Sequence, residues 1–118
     1  MIRLDEAREF ALSLPGSAEA PHFQYSSYRV EGKIFATVPP DGEHLHVFVE
    51  EPSVRAAVTA DAAAFEELWW GRRLVGVRVN LPAADPDWVT ELLEEAWRRK
   101  APRGIAGTCA RDTPAGDP

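Results

Sequence analysis

Residues 68–81, Leu-Trp-Trp-Gly-Arg-Arg-Leu-Val-Gly-Val-Arg-Val-Asn-Leu, constrain the chain more than any other stretch. Val75, Val77, Val79 and Leu81 alternate with Leu74, Gly76, Arg78 and Asn80. A period of two puts one set on the covered face of a sheet and the other on the opposite face. Such a strand needs an apolar cover and hydrogen-bonding neighbours along its edges. Ahead of it, Leu68–Trp70 reads as a short partner strand or the approach to one, and Gly71-Arg72-Arg73 turns the chain. The stretch holds two tryptophans, three arginines and no carboxylate, so it is also the first place to look for a binding surface.

The rest of the chain supplies the neighbours and the cover. Ala7, Phe10, Ala11 and Leu14 recur at helical spacing, and the pattern predicts a helix over residues 4–14. Asp5 and Glu6 lie in its first turn, where the helix dipole favours negative charge, and Pro15-Gly16 stops it. Residues 16–23, with Pro21, His22 and Phe23, read as a loop. A hairpin follows, turning at Glu31-Gly32, because glycine supplies the positive φ of a two-residue turn. That turn sets Val30 opposite Lys33, Arg29 opposite Ile34 and Tyr28 opposite Phe35. Pro39-Pro40-Asp41-Gly42 is a second turn, and His44–Val49 alternates as a third strand.

A second helix starts near Glu51-Pro52, with Val54, Ala57 and Val58 inward, and ends around Ala60-Asp61. Ala62–Glu67 reads as a short turn. Asp85 is a candidate N-cap and Pro86 a first helical residue for a third helix. Its stripe is Trp88, Val89, Leu92, Leu93, Ala96 and Trp97, with Glu91, Glu94 and Glu95 on a solvated face and Arg98, Arg99 and Lys100 closing the last turn. In that helix Glu94–Arg98 and Glu95–Arg99 are expected to pair at i, i+4. The expected order is helix, three-stranded meander, helix, two short strands, helix. That is a mostly antiparallel α+β domain over residues 1–101, followed by a flexible tail over 102–118.

At 118 residues the chain holds one core. No apolar run reaches the ~18–20 residues that cross a bilayer. Residues 1–6 lack the apolar block of a signal peptide, so a cytoplasmic protein with no membrane partner is expected. Cys109 is the sole cysteine, with no base or electropositive setting nearby to make it a nucleophile. Net charge is −6, so any binding to phosphates must come from a local patch working against the global field.

Several segments together resemble one family. They are Leu12-Ser13-Leu14-Pro15-Gly16, Pro21-His22-Phe23, Tyr28–Ala36, Trp70-Gly71-Arg72-Arg73 and Leu92–Trp97. Over residues 4–100 they follow the order of the MmcQ/YjbR family, small bacterial proteins often labelled DNA-binding. The resemblance implies an α+β fold similar to secretion-chaperone-like folds. It also implies a DNA-binding role that rests on fold more than on chemistry, and a fold alone does not carry a function.

Candidate site residues follow from charge and ring chemistry. Arg72, Arg73 and Arg78, with Arg29 and Lys33, could form a basic surface, and Trp69 or Trp70 beside them could stack on a base. His22 sits beside Phe23 in a loop, where it could line a pocket. His44 and His46 share one strand face, but a metal needs a third ligand, and His22, Glu43 or Glu50 would supply it only through the fold. There is no glycine-rich phosphate loop, no Gly-x-Ser-x-Gly, no Cys-x-x-Cys and no His-Glu-x-x-His, and Ser26-Ser27 has no nearby base. No catalytic residue, metal or cofactor is assigned, and an enzyme is not expected. Two functions remain. The first is a non-enzymatic binding protein with DNA as nominal ligand, contacted by Arg29, Lys33, Arg72, Arg73 and Arg78. The second is a small-molecule or protein-partner module with a concave pocket or apolar patch near His22, Phe23 and Trp70.

Overall fold

The alternating stretch becomes the longest strand of the computed structural model, which describes residues 2–101. In chain order the elements are α1 (Leu4–Ser13), β1 (Ser17–His22), β2 (Tyr25–Val30), β3 (Lys33–Val38), β4 (His44–Val47), α2 (Glu51–Ala60), β5 (Phe65–Trp70), β6 (Arg73–Asn80) and α3 (Pro86–Lys100). The strands form one antiparallel sheet in the order β1-β2-β3-β4-β6-β5. Helix α3 packs on β2, β3 and β4, α2 packs on β5 and β6, and α1 packs on α3 and β1. The α+β class follows the sequence pattern. The expected tail, residues 102–118 with Cys109, lies outside the described residues. No helix among the described residues is long and apolar enough to cross a membrane.

The sheet is larger than the pattern suggests. Residues 17–22 are not a loop but strand β1, paired with β2 from Ser17–Val30 to His22–Tyr25. An edge strand packs only partly against the core, so Ala-Glu-Ala-Pro shows no apolar alternation, and an edge tolerates proline. The partner of β6 runs from Phe65, so part of the expected turn Ala62–Glu67 is strand, and β6 itself is eight residues, not short.

Register explains the core. The Glu31-Gly32 turn forms with φ of 51° and 78°, and it pairs Val30 with Lys33 and Arg29 with Ile34. A bulge then sets Tyr28 opposite Ala36 instead of Phe35. The extra residue lets Phe35 and Ala36 both reach the interior. Tyr28, Val30, Phe35, Val47, Val77 and Val79 meet Val54, Ala57, Val89, Leu93 and Trp97 in one buried cluster. Trp97 is fully buried, and its indole N–H donates to the Pro15 carbonyl at 2.9 Å, tying α3 to the end of α1. The Asp85 carboxylate caps α3 by accepting from the Asp87 N–H at 2.8 Å.

Two expectations on α3 need correction. Glu94 is not on a solvated face. It is 5% exposed and pairs with Arg98 at 2.8 Å. Glu95 does not pair with Arg99: it accepts from the Ser53 hydroxyl of α2 at 2.7 Å, and Arg99 donates to the Phe48 carbonyl at 2.6 Å. Helical spacing alone could not foresee α2 and the end of β4 as competing partners.

Strand β4 is short because the chain leaves the sheet after Val47, directly across Gly76 of β6. A methyl group at residue 76 would stand 2.9 Å from the Val47 carbonyl carbon and 3.0 Å from Phe48 Cα. Those are backbone atoms that cannot swing aside, so Gly76→Ala is expected to cost at least about 1–3 kcal/mol, read as a lower denaturant midpoint. The Tyr28 hydroxyl is pushed up to about 12, chiefly by burial. Its neutral form is the one the fold accepts, so this contribution is intact below pH 10 and lost as pH rises toward 12. Tyr28→Phe is expected to unfold less readily in that alkaline window, measured by circular dichroism.

Candidate functional site

Where β4 departs, the sheet forks. Strand β4 pairs with β3 only at Ala36–Val47 and Thr37–His46, and with β6 only from His44–Asn80 to Val47–Val77. The Phe48 N–H still donates to the Phe35 carbonyl at 3.2 Å, and the chain then runs through Val49 and Glu50 into α2. Lys33 and Ile34 of β3 and Arg73–Gly76 of β6 are left with no strand between them. A cleft of about 740 Å³ opens along this fork and continues over the sheet face away from the helices.

Its lining comes from distant parts of the chain. The β1–β2 hairpin tip supplies His22, Phe23 and Tyr25, and the middle of the sheet supplies Thr37 and His46. Ile34, Phe48, Leu74 and Trp70 form the apolar part. Arg73 enters from β6, Arg99 and Lys100 from the end of α3, and Glu50 and Glu51 from the start of α2. The antiparallel register puts Tyr25 at the same strand ends as His44, and Trp70 and Arg73 at the opposite ends. The cleft therefore runs diagonally. From the His46–Arg78 pair to Arg73 is five residues of strand, roughly 16 Å.

Its aromatic groups are unusually displayed. Phe23 is 93% exposed and holds φ of 60°, with the His22 ring edge-on at 4.8 Å. Trp70 is 60% exposed and meets Phe48 edge-to-face at 5.3 Å. His46 is half-buried, its ring 6.0 Å from that of Tyr25. Its Nε2 is buried and has no hydrogen-bond partner among the described residues. Burial, then the positive charge of Arg78, lowers the His46 pKa, so the ring is neutral at pH 7.

Carboxylates hold five of the arginines, none of them on the cleft lining. Arg3, Arg8, Arg55, Arg78 and Arg98 each meet a carboxylate, Arg55 both Glu51 and Glu67. Arg29 donates to the Ser27 hydroxyl at 2.9 Å and the Pro21 carbonyl at 3.2 Å. Among the described residues, Arg73, Arg99 and Lys100 make no ion pair. The one hydrogen bond from the Arg99 guanidinium goes to a neutral carbonyl.

Of the residues singled out in the sequence, His22, Trp70 and Arg73 come together on the cleft. Arg78 faces the same side of the sheet but is held by Glu66 at 3.0 Å, with Asp41 at 3.9 Å. Arg29 is three strands away from Arg78, roughly 14 Å. Lys33 and Arg72 are exposed and make no ion pair among the described residues, and neither lines the cleft. Trp69 turns its indole N–H to Glu67 at 3.0 Å. The five basic residues do not merge into one surface. In the sequence Arg99 and Lys100 are accounted for by their place in the last helical turn, and only the topology brings that turn to the fork. His44 and His46 do not cooperate: the His44 Nδ1 lies 2.9 Å from Asp41, and no three His, Cys, Asp or Glu side chains converge among the described residues.

Comparison with known proteins gives the fold a family. The model of the YjbR family matches residues 12–99. The chain belongs to the YjbR family. No curated protein matches it. The chain is similar to the crystal structure of Deinococcus radiodurans protein DR2400, a protein with the family-model domain DUF419. The TM-score is 0.73 at 18% identity, over 88% of this chain and 82% of that one. A likeness at that identity carries the fold and nothing about the ligand.

The His46 shift gives this YjbR-family fold an acid-sensitive point. Folding depresses the pKa, so the unfolded chain binds the proton more readily. The contribution is present above pH 6.5 and is lost as pH falls from there through the folded pKa. His46→Phe is expected to flatten the fall in melting temperature between pH 7 and pH 5, measured by thermal denaturation across that range.

Proposed function

We propose that this protein is a non-enzymatic binding module whose small-molecule ligand occupies the cleft at the sheet fork. The observation that carries this reading is the placement of Phe23 and Trp70. Two large aromatic side chains, 93% and 60% exposed, line one concave site of about 740 Å³. An exposed aromatic normally costs solvation free energy, and a concave apolar site with a few polar groups is the usual form of a ligand pocket. Of the two carboxylates on the cleft lining Glu51 is held by Arg55, and among the described residues no cleft hydroxyl is hydrogen-bonded to a histidine, which fits binding better than turnover.

Nucleic acid is the second reading, favoured by one feature. The β5–β6 hairpin presents Trp69 and Trp70 to solvent beside Arg72 and Arg73, which make no ion pair among the described residues. Rings beside guanidiniums suit a single strand, by stacking and phosphate contact. Against it stand the net charge of −6 and the pairing of Arg78 with Glu66.

One titration series separates the two. Naphthoate, followed by amide NMR, is expected to shift residues of the cleft, with Trp70→Ala weakening binding by about tenfold, the usual size for loss of a stacked ring. An oligonucleotide at low salt is expected to bind more weakly, if at all. Tighter oligonucleotide binding that falls steeply with salt and is lost in Arg72→Ala and Arg73→Ala would hand the function to nucleic acid.

A further inference from the structure

We infer that the cleft takes a flat aromatic ring bearing an anionic group, a carboxylate or a phosphate. This rests on the reading of the cleft as the binding site and adds the class of ligand.

The ring is argued from Phe23 and Trp70. Phe23 is the first residue of a two-residue turn, with φ of 60°, a position that glycine fills without strain. A bulky residue held there, with its side chain 93% exposed, contributes nothing to the core. Strain kept at a position with no packing role points to what that side chain meets when a ligand is present. Trp70 is braced by Phe48 through an edge-to-face contact, which leaves an indole surface open to the cleft. A rigid ring lining a cleft selects flat partners over flexible chains, because stacking needs a flat face.

The anion is argued from Arg73, Arg99 and Lys100. Among the described residues these three cations line the cleft without an ion pair; elsewhere in this acidic chain five arginines each have a carboxylate, and Arg29, Lys33 and Arg72 do not. Arg99 is anchored by one N–H to the Phe48 carbonyl, which orients the fork and leaves further donors. Glu50, at the N-terminus of α2, is on the same lining and makes no side-chain cap, so it opposes an anion without serving the fold. His46 supplies the polar contact in the middle: its buried Nε2 has no partner, and Thr37 sits directly across from it. A hydrogen-bonding group on the ring edge would satisfy it.

Four probes on the full chain test this, each titrated by amide NMR: naphthoate, naphthyl phosphate, naphthalenemethanol and decanoate. The two aromatic anions are expected to bind about tenfold tighter than the alcohol, the factor that a charge-assisted contact provides, and about tenfold tighter than decanoate, which keeps the charge but has no flat face to stack. Arg73→Gln and Lys100→Gln are expected to bring the anions down to the level of the alcohol without changing the alcohol. Glu50→Gln is expected to tighten the anions alone. Trp70→Ala is expected to weaken every aromatic probe and to leave decanoate unchanged, which a structural role would not produce. Equal binding of alcohol and naphthoate overturns the anionic group, and equal binding of decanoate and naphthoate overturns the ring; both leave the cleft standing as the site. If none of the four shifts residues of the cleft, the reading of the cleft as a binding site falls with it.

Discussion

The fork depends on one backbone crossing. Val47 and Phe48 pass so close to Gly76 that only a hydrogen fits there. Because the chain can drop through the sheet at that point, β4 ends after four residues while β3 has six and β6 has eight. The unequal lengths leave a gap between β3 and β6, and the gap lets the end of α3 and the start of α2 contribute side chains to the opposite face. In an unbroken sheet Arg99 and Lys100 would be confined to the helical layer. A glycine inside a strand normally weakens it; here it permits the crossing that makes the cleft.

Electrostatics sharpens the location. A chain with net charge −6 has ample carboxylates to neutralise its arginines, and it does so for Arg3, Arg8, Arg55, Arg78 and Arg98, all outside the cleft. Exposed pairs of this kind contribute little to stability, so their value as evidence lies in the contrast. Among the described residues Arg29, Lys33 and Arg72 also lack a carboxylate, but Arg73, Arg99 and Lys100 lack one on the cleft lining, where the aromatic rings gather. A basic patch set in an acidic molecule acts at short range, since its field is cancelled beyond about a Debye length, ~8–10 Å. That geometry suits a compact anion held inside a cleft more than a long polyanion laid over the surface.

Much of the fold was legible in the letters. The Asp85-Pro86 cap, the Glu31-Gly32 turn and the alternation of Val75–Leu81 are local signals, and each element formed where its signal lay. Strand β1 was not legible, because Ala18, Glu19, Ala20 and Pro21 gain their strand conformation from pairing with β2 and not from a buried face of their own. The Tyr28–Ala36 bulge was invisible for a related reason, since a single extra residue is decided by core packing and not by turn chemistry. The site followed the same division. His22, Trp70 and Arg73 stood out by residue type, whereas Phe48, Arg99 and Lys100 acquire meaning only from the fork. Charge pairing was the least legible property. Arg78 and Arg73 look alike in sequence, yet the register sets Glu66 across from one, while the other lies at the hairpin end with no carboxylate partner.

Phe23 shows how such a site relates to the stability of its scaffold. A bulky residue in the left-handed region costs on the order of 1–3 kcal/mol relative to a relaxed backbone, a sizeable part of the few kcal/mol by which a small domain holds together. The surrounding structure must therefore over-determine the turn. The β1–β2 ladder does so through six consecutive pairs, with the Ser27 hydroxyl donating to the Ala20 carbonyl and the Arg29 guanidinium to the Pro21 carbonyl. Arg29, which by charge alone looked like a ligand contact, is better understood as part of that brace. Its guanidinium holds the strand that presents Phe23, so a residue set apart from the cleft still governs how an aromatic ring is offered to whatever enters it.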